Sequence, residues 1–271
     1  MGNRAQTAPD PVVQVRDLVV CYGEREILKG IDLEIRRGEV MVVMGGSGSG
    51  KSTFLRTLLG LKAPSHGQVE VLGHNIHTAD RRTRLALRRQ MGVAFQGGAL
   101  LSSLSVGENV RLPLRAHTRL DENTMRIMTR LKLELVNLAG FEDMMPAELS
   151  GGMVKRAAFA RAVVMDPKLL FFDEPSAGLD PVTSAELDEL ILRLRDAMKT
   201  TIVVVTHELE SAFKIADRIS VLGEGRVLMT GSVEAVRNSD DERIQNLLNR
   251  RPRDAVLDGD AYLRRLTGTD A

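Results

Sequence analysis

The sequence has few residues of several kinds, and each shortage argues against a class of protein or site. Its 271 residues include no tryptophan, two tyrosines and one cysteine. So few aromatic side chains argue against a site that stacks several nucleic-acid bases. The lone Cys21 has no partner for an intrachain disulfide, which is typical of a reducing compartment. We therefore expect a cytoplasmic protein.

Net charge and long apolar runs are also missing. The 37 Lys and Arg residues balance 36 Asp and Glu residues, so the formal charge is +1. Without a strong field of one sign, we expect no nucleic-acid partner. The longest apolar runs, such as Val40–Met44, are strand-sized, whereas a membrane helix needs about 20 residues. Met1–Pro11 also lacks the apolar segment of a signal peptide, so we expect that the chain does not enter a membrane by itself.

What is present is the patterning of a folded α/β protein. Predicted strands cover Val12–Val20, Glu26–Ile35, Val40–Met44, Gln68–Val71, Gly92–Phe95, Lys168–Asp173, Thr201–Thr206 and Ile219–Leu222. Predicted helices cover Ser52–Leu61, Thr78–Gln90, Val106–Leu114, Glu122–Leu138, Gly151–Met165, Val182–Met198 and Glu208–Ile215. This alternation predicts a mostly parallel sheet covered on both faces. The strand signal disappears between Ser105 and Met165, which indicates an inserted helical lobe.

The pattern divides the chain into three parts. We expect a flexible N-terminus at 1–11, a domain at 12–238 with a helical lobe at about 97–165, and an extension at 239–271. In the extension, Ile244, Leu247 and Leu248 stand at helical spacing. The arginines of Thr78–Gln90 are interpreted as a solvated face, with an acidic partner as the alternative.

The most specific motif lies between a predicted strand and a predicted helix. Gly45–Ser52 fits the pattern G-x-x-x-x-G-K-[ST], and this context argues against a mere flexible linker. In such a loop, backbone N–H groups surround phosphate oxygens, and the helix N-terminus adds partial positive charge. Lys51 then reaches the β and γ phosphates of a nucleotide, and Ser52 offers a hydroxyl to Mg²⁺. The candidate nucleotide-binding residues here are Gly45, Gly46, Ser47, Gly48, Ser49, Gly50, Lys51, Ser52 and Thr53.

Two further segments can meet the phosphates. Asp173 and Glu174 end an apolar strand at the carboxyl edge of the predicted sheet. There Asp173 can hold hydrated Mg²⁺, and Glu174 can orient or deprotonate the attacking water. Ser150–Gly152 begins a predicted helix and forms a second potential anion site, although a plain helix cap is the alternative.

The order of these motifs carries a family resemblance. The phosphate loop is followed by Gln96, the Ser-Gly-Gly helix start, the acidic pair, Ser176–Asp180 and His207. Together they resemble the nucleotide-binding domain of an ATP-binding cassette (ABC) ATPase, over roughly Val12–Val236. The resemblance implies a P-loop NTPase fold of the ABC nucleotide-binding type, with a mixed core sheet and an inserted helical subdomain. It also implies ATP hydrolysis coupled to transport, with ATP and Mg²⁺ as ligands.

The resemblance further implies a head-to-tail dimer with two composite sites. Glu174, His207 and Gln96 are the implied catalytic residues, of which Gln96 is expected to sense the γ-phosphate beside Mg²⁺ and His207 to contact it. Mg²⁺ is expected at Ser52, Gln96 and, through water, Asp173. Asp180 is expected to cross the dimer interface, and Tyr22 occupies the position that stacks on adenine. Of the signature residues, the first three are expected to bind the γ-phosphate held by the other subunit; the signature comprises Ser150, Gly151, Gly152 and Met153.

A narrower resemblance rests on two segments. Met153 stands where most of the family has Gln, and it combines with the sequence of 95–110. Together they look like the ATPase subunit of Mla and Mce-type phospholipid transporters of Gram-negative bacteria. This implies a peripheral protein on the cytoplasmic face of the inner membrane, bound to a transmembrane permease through the helical lobe. A periplasmic Mce-domain lipid-binding subunit and a STAS-domain subunit are the other implied partners.

The C-terminal extension is expected to contact another protein. The resemblance indicates that the extension reaches a neighbouring subunit or the STAS partner, with Tyr262 as an anchor, whereas a disordered end is the alternative.

Two alternative functions fit the same motifs. The ATPase of another importer, for example one for amino acids, would share every catalytic motif. A soluble cassette ATPase of iron-sulfur cluster assembly would share them too.

Overall fold

Strand β3 (Val40–Met44) lies at the centre of the fold, and all five of its residues are buried. The computed structural model describes residues 10–249. Val40, Val42 and Met44 belong to one apolar layer, whereas Met41 and Val43 belong to another. Because both faces of the strand are covered, its sequence is continuously apolar instead of alternating.

The elements follow the predicted order closely. The strands are β1 (Pro11–Tyr22), β2 (Arg25–Arg36), β3, β4 (His66–Val71), β5 (His74–Asn75), β6 (Met91–Ala94), β7 (Leu169–Asp173), β8 (Thr201–Thr206), β9 (Arg218–Gly223) and β10 (Arg226–Gly231). The helices are α1 (Lys51–Leu58), α2 (Arg81–Arg89), α3 (Val106–His117), α4 (Glu122–Leu135), α5 (Gly151–Val163), α6 (Pro181–Met198), α7 (Leu209–Ile215), α8 (Val233–Arg237) and α9 (Glu242–Leu248).

Polar side chains mark where most helices begin. A Ser or Asp oxygen accepts a hydrogen bond from a first-turn amide and satisfies a donor that the helix cannot pair. These caps are Asp80, Ser105, Asp121, Ser150, Asp180, Ser232 and Asp241. Helix α4 ends three residues before its predicted end, because Asn137 is left-handed (φ 60°) and the Leu138 amide bonds back to the Leu133 carbonyl at 2.7 Å.

The core sheet positions the site. Its order is β10-β9-β3-β8-β7-β6, with parallel pairs from β9 to β6 and an antiparallel β10 at one edge. The predicted mostly parallel sheet is therefore confirmed. Met44 lies opposite Thr206, and Asp173 lies opposite Val205. The carboxyl ends of β3, β7 and β8 thus meet at one edge, where open α/β sheets bind ligands.

The structure contains a second sheet, which the sequence patterns did not predict as separate from the first. Its order is β2-β1-β4-β5, with every pair antiparallel. Buried residues of these strands and of α1 share the apolar layer that contains Met41 and Val43. The sequence predicted β1, β2 and β4 but not their pairing, and it missed β5 and β10. Strand β5 has only two residues, and none of the β10 residues is fully buried.

The helical lobe is confirmed as a strand-free insertion. No strand interrupts residues 105–165, all of which the structure describes. Helices α3, α4 and α5 pack on one another, and α5 also packs on β6. In residues 10–249, no helix has the length and apolar character needed to span a bilayer.

The predicted domain limits remain predictions. Most of the expected flexible N-terminus, residues 1–9, lies outside the described residues, and β1 already begins at Pro11. In the extension, α9 forms with Ile244 buried and Leu247 and Leu248 packed against the core. Tyr262 and the rest of 250–271 lie outside the described residues.

Candidate functional site

The phosphate loop connects β3 to α1 and lies tightly against neighbouring strands. A Cβ atom at Gly45 would lie 2.3 Å from the Leu222 carbonyl oxygen of β9. Gly50 has φ 104°, and a Cβ there would lie 2.6 Å from Leu28 Cδ2. Only glycine fits at both positions, so the loop backbone can turn its amides inward.

Lys51 begins α1 and bridges the loop. Its Nζ donates to the carbonyl oxygens of Gly45 (2.7 Å) and Gly46 (3.2 Å). Burial lowers the pKa of Lys51, and the nearby carboxylates of Glu174 and Asp173 oppose that shift. An ammonium at a helix N-terminus beside inward-facing amides forms an anion site.

Asp173 and Glu174 lie where β7 ends. Burial raises the pKa of Asp173, the Glu174 charge adds to the rise, and the cations Arg56, Lys51 and Lys155 oppose it. Glu174 has a left-handed backbone (φ 47°), which is strained for a residue with a side chain. Strained positions of this kind cluster at functional sites.

Glu174 and His207 form a hydrogen-bonded pair. Glu174 Oε2 accepts from Thr206 Oγ1 (3.2 Å) and the His207 amide (3.3 Å), and it lies 2.8 Å from His207 Nδ1. Because a carboxylate only accepts hydrogen bonds, we assign the imidazole proton to Nδ1. The Glu174 amide also donates to the Val205 carbonyl at 2.8 Å. The Glu174 side chain is 12% exposed and that of His207 is 54% exposed.

These groups line one cleft of about 1220 Å³. Its walls include the predicted residues Gly46, Ser47, Gly48, Lys51, Ser52, Gln96, Glu174 and His207. Helix α9, whose position could not be predicted from its sequence, borders the same cleft through Glu242, Arg243, Asn246 and Leu247.

The cleft offers oxygen donors for a divalent cation. Ser52 and Gln96 line it, and Asp173 lies directly beside Glu174. Within residues 10–249, no group of three or more His, Cys, Asp or Glu side chains could hold a metal ion by itself. This donor set fits Mg²⁺, which keeps several waters and is commonly shared between a few protein oxygens and substrate phosphates.

The signature residues lie at the start of α5, apart from this cleft. Ser150 and Gly151 are exposed, and Ser150 Oγ accepts from the Met153 amide at 3.3 Å. A Cβ on Gly152 would lie 2.7 Å from Thr183 Cγ2, so the helix start packs closely on α6. Met153 is half-buried and packs on the core, which accounts for an apolar side chain at this position.

Asp180 lies next to that helix start and caps α6. Its carboxylate accepts from the amides of Val182 and Thr183, both at 3.0 Å, and from Thr183 Oγ1 at 2.6 Å. The bonds from Thr183 hold the pKa of Asp180 below its usual value. Asp180 is exposed, and residues on either side of it in the sequence, Leu179 and Thr183, lie close to Gly151 and Gly152.

Tyr22 ends β1 and is 44% exposed. The ammonium of Lys62 lies 4.4 Å from the centre of its ring, in a cation–π contact. Neither side chain lines the cleft that contains Lys51.

Two residues that no motif identified, Lys155 and Thr206, hold the acidic segment. Lys155 is buried, and its Nζ donates to the carbonyl oxygens of Gln96 and of Glu174, the latter at 3.1 Å. The sequence did carry a signal for Lys155, because this lysine lies in an Ala-rich stretch of α5 that is mostly buried. Lysines are rarely buried without a partner, so a lysine in such a stretch indicates a specific contact.

Comparisons with known proteins agree with the geometry. A family model described as ABC transporter matches residues 28–177. The chain is 39% identical, over 93% of its length and 92% of the relative, to the intermembrane phospholipid transport system ATP-binding protein MlaF of Escherichia coli K12. It is 38% identical to the probable ribonucleotide transport ATP-binding protein mkl of Mycobacterium leprae, over 88% of this chain and 69% of the relative.

Solved structures show the same fold. The chain is 32% identical to the ATP-binding cassette MJ0796, which was solved as a dimer in a post-hydrolysis state bound to ADP and Pi. The TM-score between the two structures is 0.75, over 82% of this chain and 98% of that chain. The cbiO1 protein of Clostridium perfringens, part of the ABC transporter complex cbiONQ, is 30% identical, with a TM-score of 0.77 over 94% of this chain and 99% of that chain. The predicted P-loop fold of the ABC nucleotide-binding type is thus confirmed. This chain belongs to the ABC transporter family, as an ATPase subunit that binds and hydrolyses ATP.

Proposed function

We propose that this ATPase subunit powers phospholipid transport through a membrane permease. The observation that carries the proposal is the 39% identity over 93% of the chain to the MlaF protein of E. coli, together with 38% identity over 88% of the chain to that of Haemophilus influenzae. Met153, which prompted the narrower resemblance, supports the same assignment.

The cleft supplies the parts of an ATP-hydrolysing site. The amides of Gly45–Thr53 and the ammonium of Lys51 hold the phosphates of ATP. Ser52, Gln96 and, through water, Asp173 would hold Mg²⁺, which would supply positive charge to stabilise the phosphate oxygens during hydrolysis.

Glu174 acts on the attacking water. Its three hydrogen bonds from Thr206 and His207 all end on Oε2. They fix the carboxylate and leave Oε1 as the oxygen that we assign to the water proton. We assign His207, which is bonded to Glu174 through Nδ1 and is more exposed, to contact with the γ-phosphate.

A second copy of the chain completes each site. Ser150 and Gly151 are exposed and do not line the cleft of their own subunit. We infer that Ser150, Gly151 and Gly152 bind the γ-phosphate held by the other subunit of a head-to-tail dimer, with Asp180 at the interface. The solved cassette with ADP and Pi, which is similar to this chain, is itself dimeric.

The helical lobe is the proposed contact with the permease. Four of the nine exposed large apolar side chains in residues 10–249 lie within 97–165, namely Leu101, Leu120, Ile127 and Leu131. Ile127 and Leu131 are one turn apart on α4, and exposed apolar side chains that share a helix face can form a protein interface. We further propose a STAS-domain subunit and a periplasmic Mce-domain subunit in the complex. The chain then lies on the cytoplasmic face of the inner membrane as a peripheral subunit.

The experiment is purification of the tagged chain from its host in mild detergent, with mass spectrometry of copurifying proteins and lipids. The proposal expects a permease, an Mce-domain subunit and bound phospholipid. Copurification with an amino-acid permease would instead support another importer. Recovery with only soluble iron-sulfur assembly proteins would support the remaining alternative.

A further inference from the structure

Lys155 occupies an unusual environment for a lysine. It lies in the second turn of α5 and is 7% exposed. Its ammonium donates to two main-chain carbonyls, those of Gln96 and Glu174. Burial lowers the pKa of Lys155, and the charges of Asp173 and Glu174 oppose that shift. A buried ammonium that is satisfied by two carbonyls binds them strongly, because charged donors form stronger hydrogen bonds than neutral ones.

The two acceptors come from two strand ends. Gln96 follows β6, and Glu174 follows β7. Both side chains line the cleft of this subunit. Lys155 therefore holds the main chain of the proposed γ-phosphate sensor and of the proposed base in one arrangement.

The same helix reaches the other site of the dimer. Helix α5 starts at Gly151, one turn before Lys155, and its exposed start carries the signature residues. One side chain thus connects the cleft in its own subunit with the segment proposed to complete the cleft of the other subunit.

A second cation holds the loop after Gln96 on the same helix. Arg161 donates to the carbonyls of Gly98 and Ala99, both at 2.6 Å. A Cβ on Gly98 would lie 2.7 Å from Val154 Cγ1, so this loop packs directly on α5. A displacement of Gln96 must therefore move α5 or break these contacts.

We propose that Lys155 is a positioning residue that couples the two ATP sites of the dimer, by fastening the main chain of Gln96 and Glu174 to the helix that carries the signature residues. The inference rests on the proposed roles of Gln96, Glu174 and Ser150–Met153. When Gln96 moves on contact with a γ-phosphate, α5 moves with it, and the signature residues shift at the opposite site.

The test compares Lys155→Met, Lys155→Arg and Arg161→Met in the full-length chain within its purified complex. The Met side chain keeps an unbranched apolar stem and removes all donors, whereas Arg can still donate to both carbonyls. We expect the Hill coefficient for ATP to exceed 1 in the wild type and to fall toward 1 in Lys155→Met. We also expect Lys155→Met to lower kcat by roughly 10- to 100-fold, because the Glu174 carbonyl loses the ammonium that holds it and the base is positioned less precisely.

Matched measurements separate coupling from folding. ADP binding, which is assigned to the phosphate loop and Tyr22 and does not involve Glu174 or the signature residues, is expected to be unchanged in Lys155→Met. Arg should restore part of the Hill coefficient, and Arg161→Met, which leaves Glu174 held, should lower it with a smaller loss of kcat. If Lys155→Met no longer binds ADP, Lys155→Gln, which keeps one amide donor, is measured with the same expectation.

Two results would overturn the proposal. One is a wild-type Hill coefficient of 1, and the other is a Lys155→Met or Lys155→Gln variant that binds ADP and keeps the wild-type Hill coefficient, whatever its kcat. Failure of the proposed catalytic site is distinguishable, since it would appear as undiminished hydrolysis in Glu174→Gln, whatever the Lys155 variants do.

Discussion

Replacing Glu174 by Gln tests the proposed base with little change in shape. In the wild type, three hydrogen bonds from Thr206 and His207 end on Oε2. Because Oε2 accepts all three bonds, the amide oxygen of Gln must take the position of Oε2, and its NH₂ group then takes the position of Oε1. The NH₂ group would present a hydrogen-bond donor to the attacking water, where the reaction requires an acceptor. We expect hydrolysis to fall by roughly 10²–10⁴-fold, the scale for loss of a positioned general base.

That loss corresponds to about 2.7–5.4 kcal/mol of activation free energy. ATP binding should persist, because Lys51 and the phosphate loop are unchanged, so the variant should accumulate as an ATP-bound dimer. The assays are phosphate release by the purified complex and size-exclusion chromatography with ATP. Glu210→Gln, on the exposed first turn of α7, is the matched control and should behave as the wild type. Near wild-type turnover in Glu174→Gln would refute the assignment.

The remaining predictions address nucleotide binding and the C-terminal extension. Lys51→Ala should weaken ATP binding by about 1.5–3 kcal/mol for each lost charged hydrogen bond to phosphate, and unchanged affinity by calorimetry would contradict this. Tyr22→Ala should weaken binding of all adenine nucleotides by about 1–3 kcal/mol. Tyr22→Phe should bind as the wild type in the same titration, and equal damage by both variants would show that the hydroxyl matters instead. Truncation after Asn249 retains α9 at the rim of the cleft, so ATP affinity should be unchanged, while association with partner subunits weakens. Normal subunit ratios and unchanged ATPase activity of the truncated complex would remove the proposed contact.

Short sequence patterns correctly predicted the strands, loop and helix start whose structure depends mainly on residues that are adjacent in sequence. Strand β3, the phosphate loop and the start of α1 follow from a short apolar run, closely placed glycines and Lys51. Strand β7 and the acidic pair follow from another apolar run with charges at its end. Because parallel strands align their carboxyl ends, the sequence also indicated that these two segments meet.

The missed features depend on contacts between residues that are distant in sequence. The pairing of β1 with β4 and the antiparallel edge β10 depend on strand partners that periodicity does not identify. Lys155 is separated from Gln96 by 59 residues, so its contact with that carbonyl could not be deduced from spacing. The position of α9 beside the cleft likewise results from packing of its apolar face, which the sequence predicted without indicating a destination.

The most direct test of the proposed function is ATP-dependent phospholipid transfer by the complete complex in reconstituted vesicles. Donor vesicles that carry the complex and a labelled phospholipid are mixed with acceptor vesicles, with and without ATP. We predict transfer that requires ATP and is lost in Glu174→Gln. Robust ATP hydrolysis by the same vesicles with no effect of ATP on phospholipid distribution would contradict the proposal.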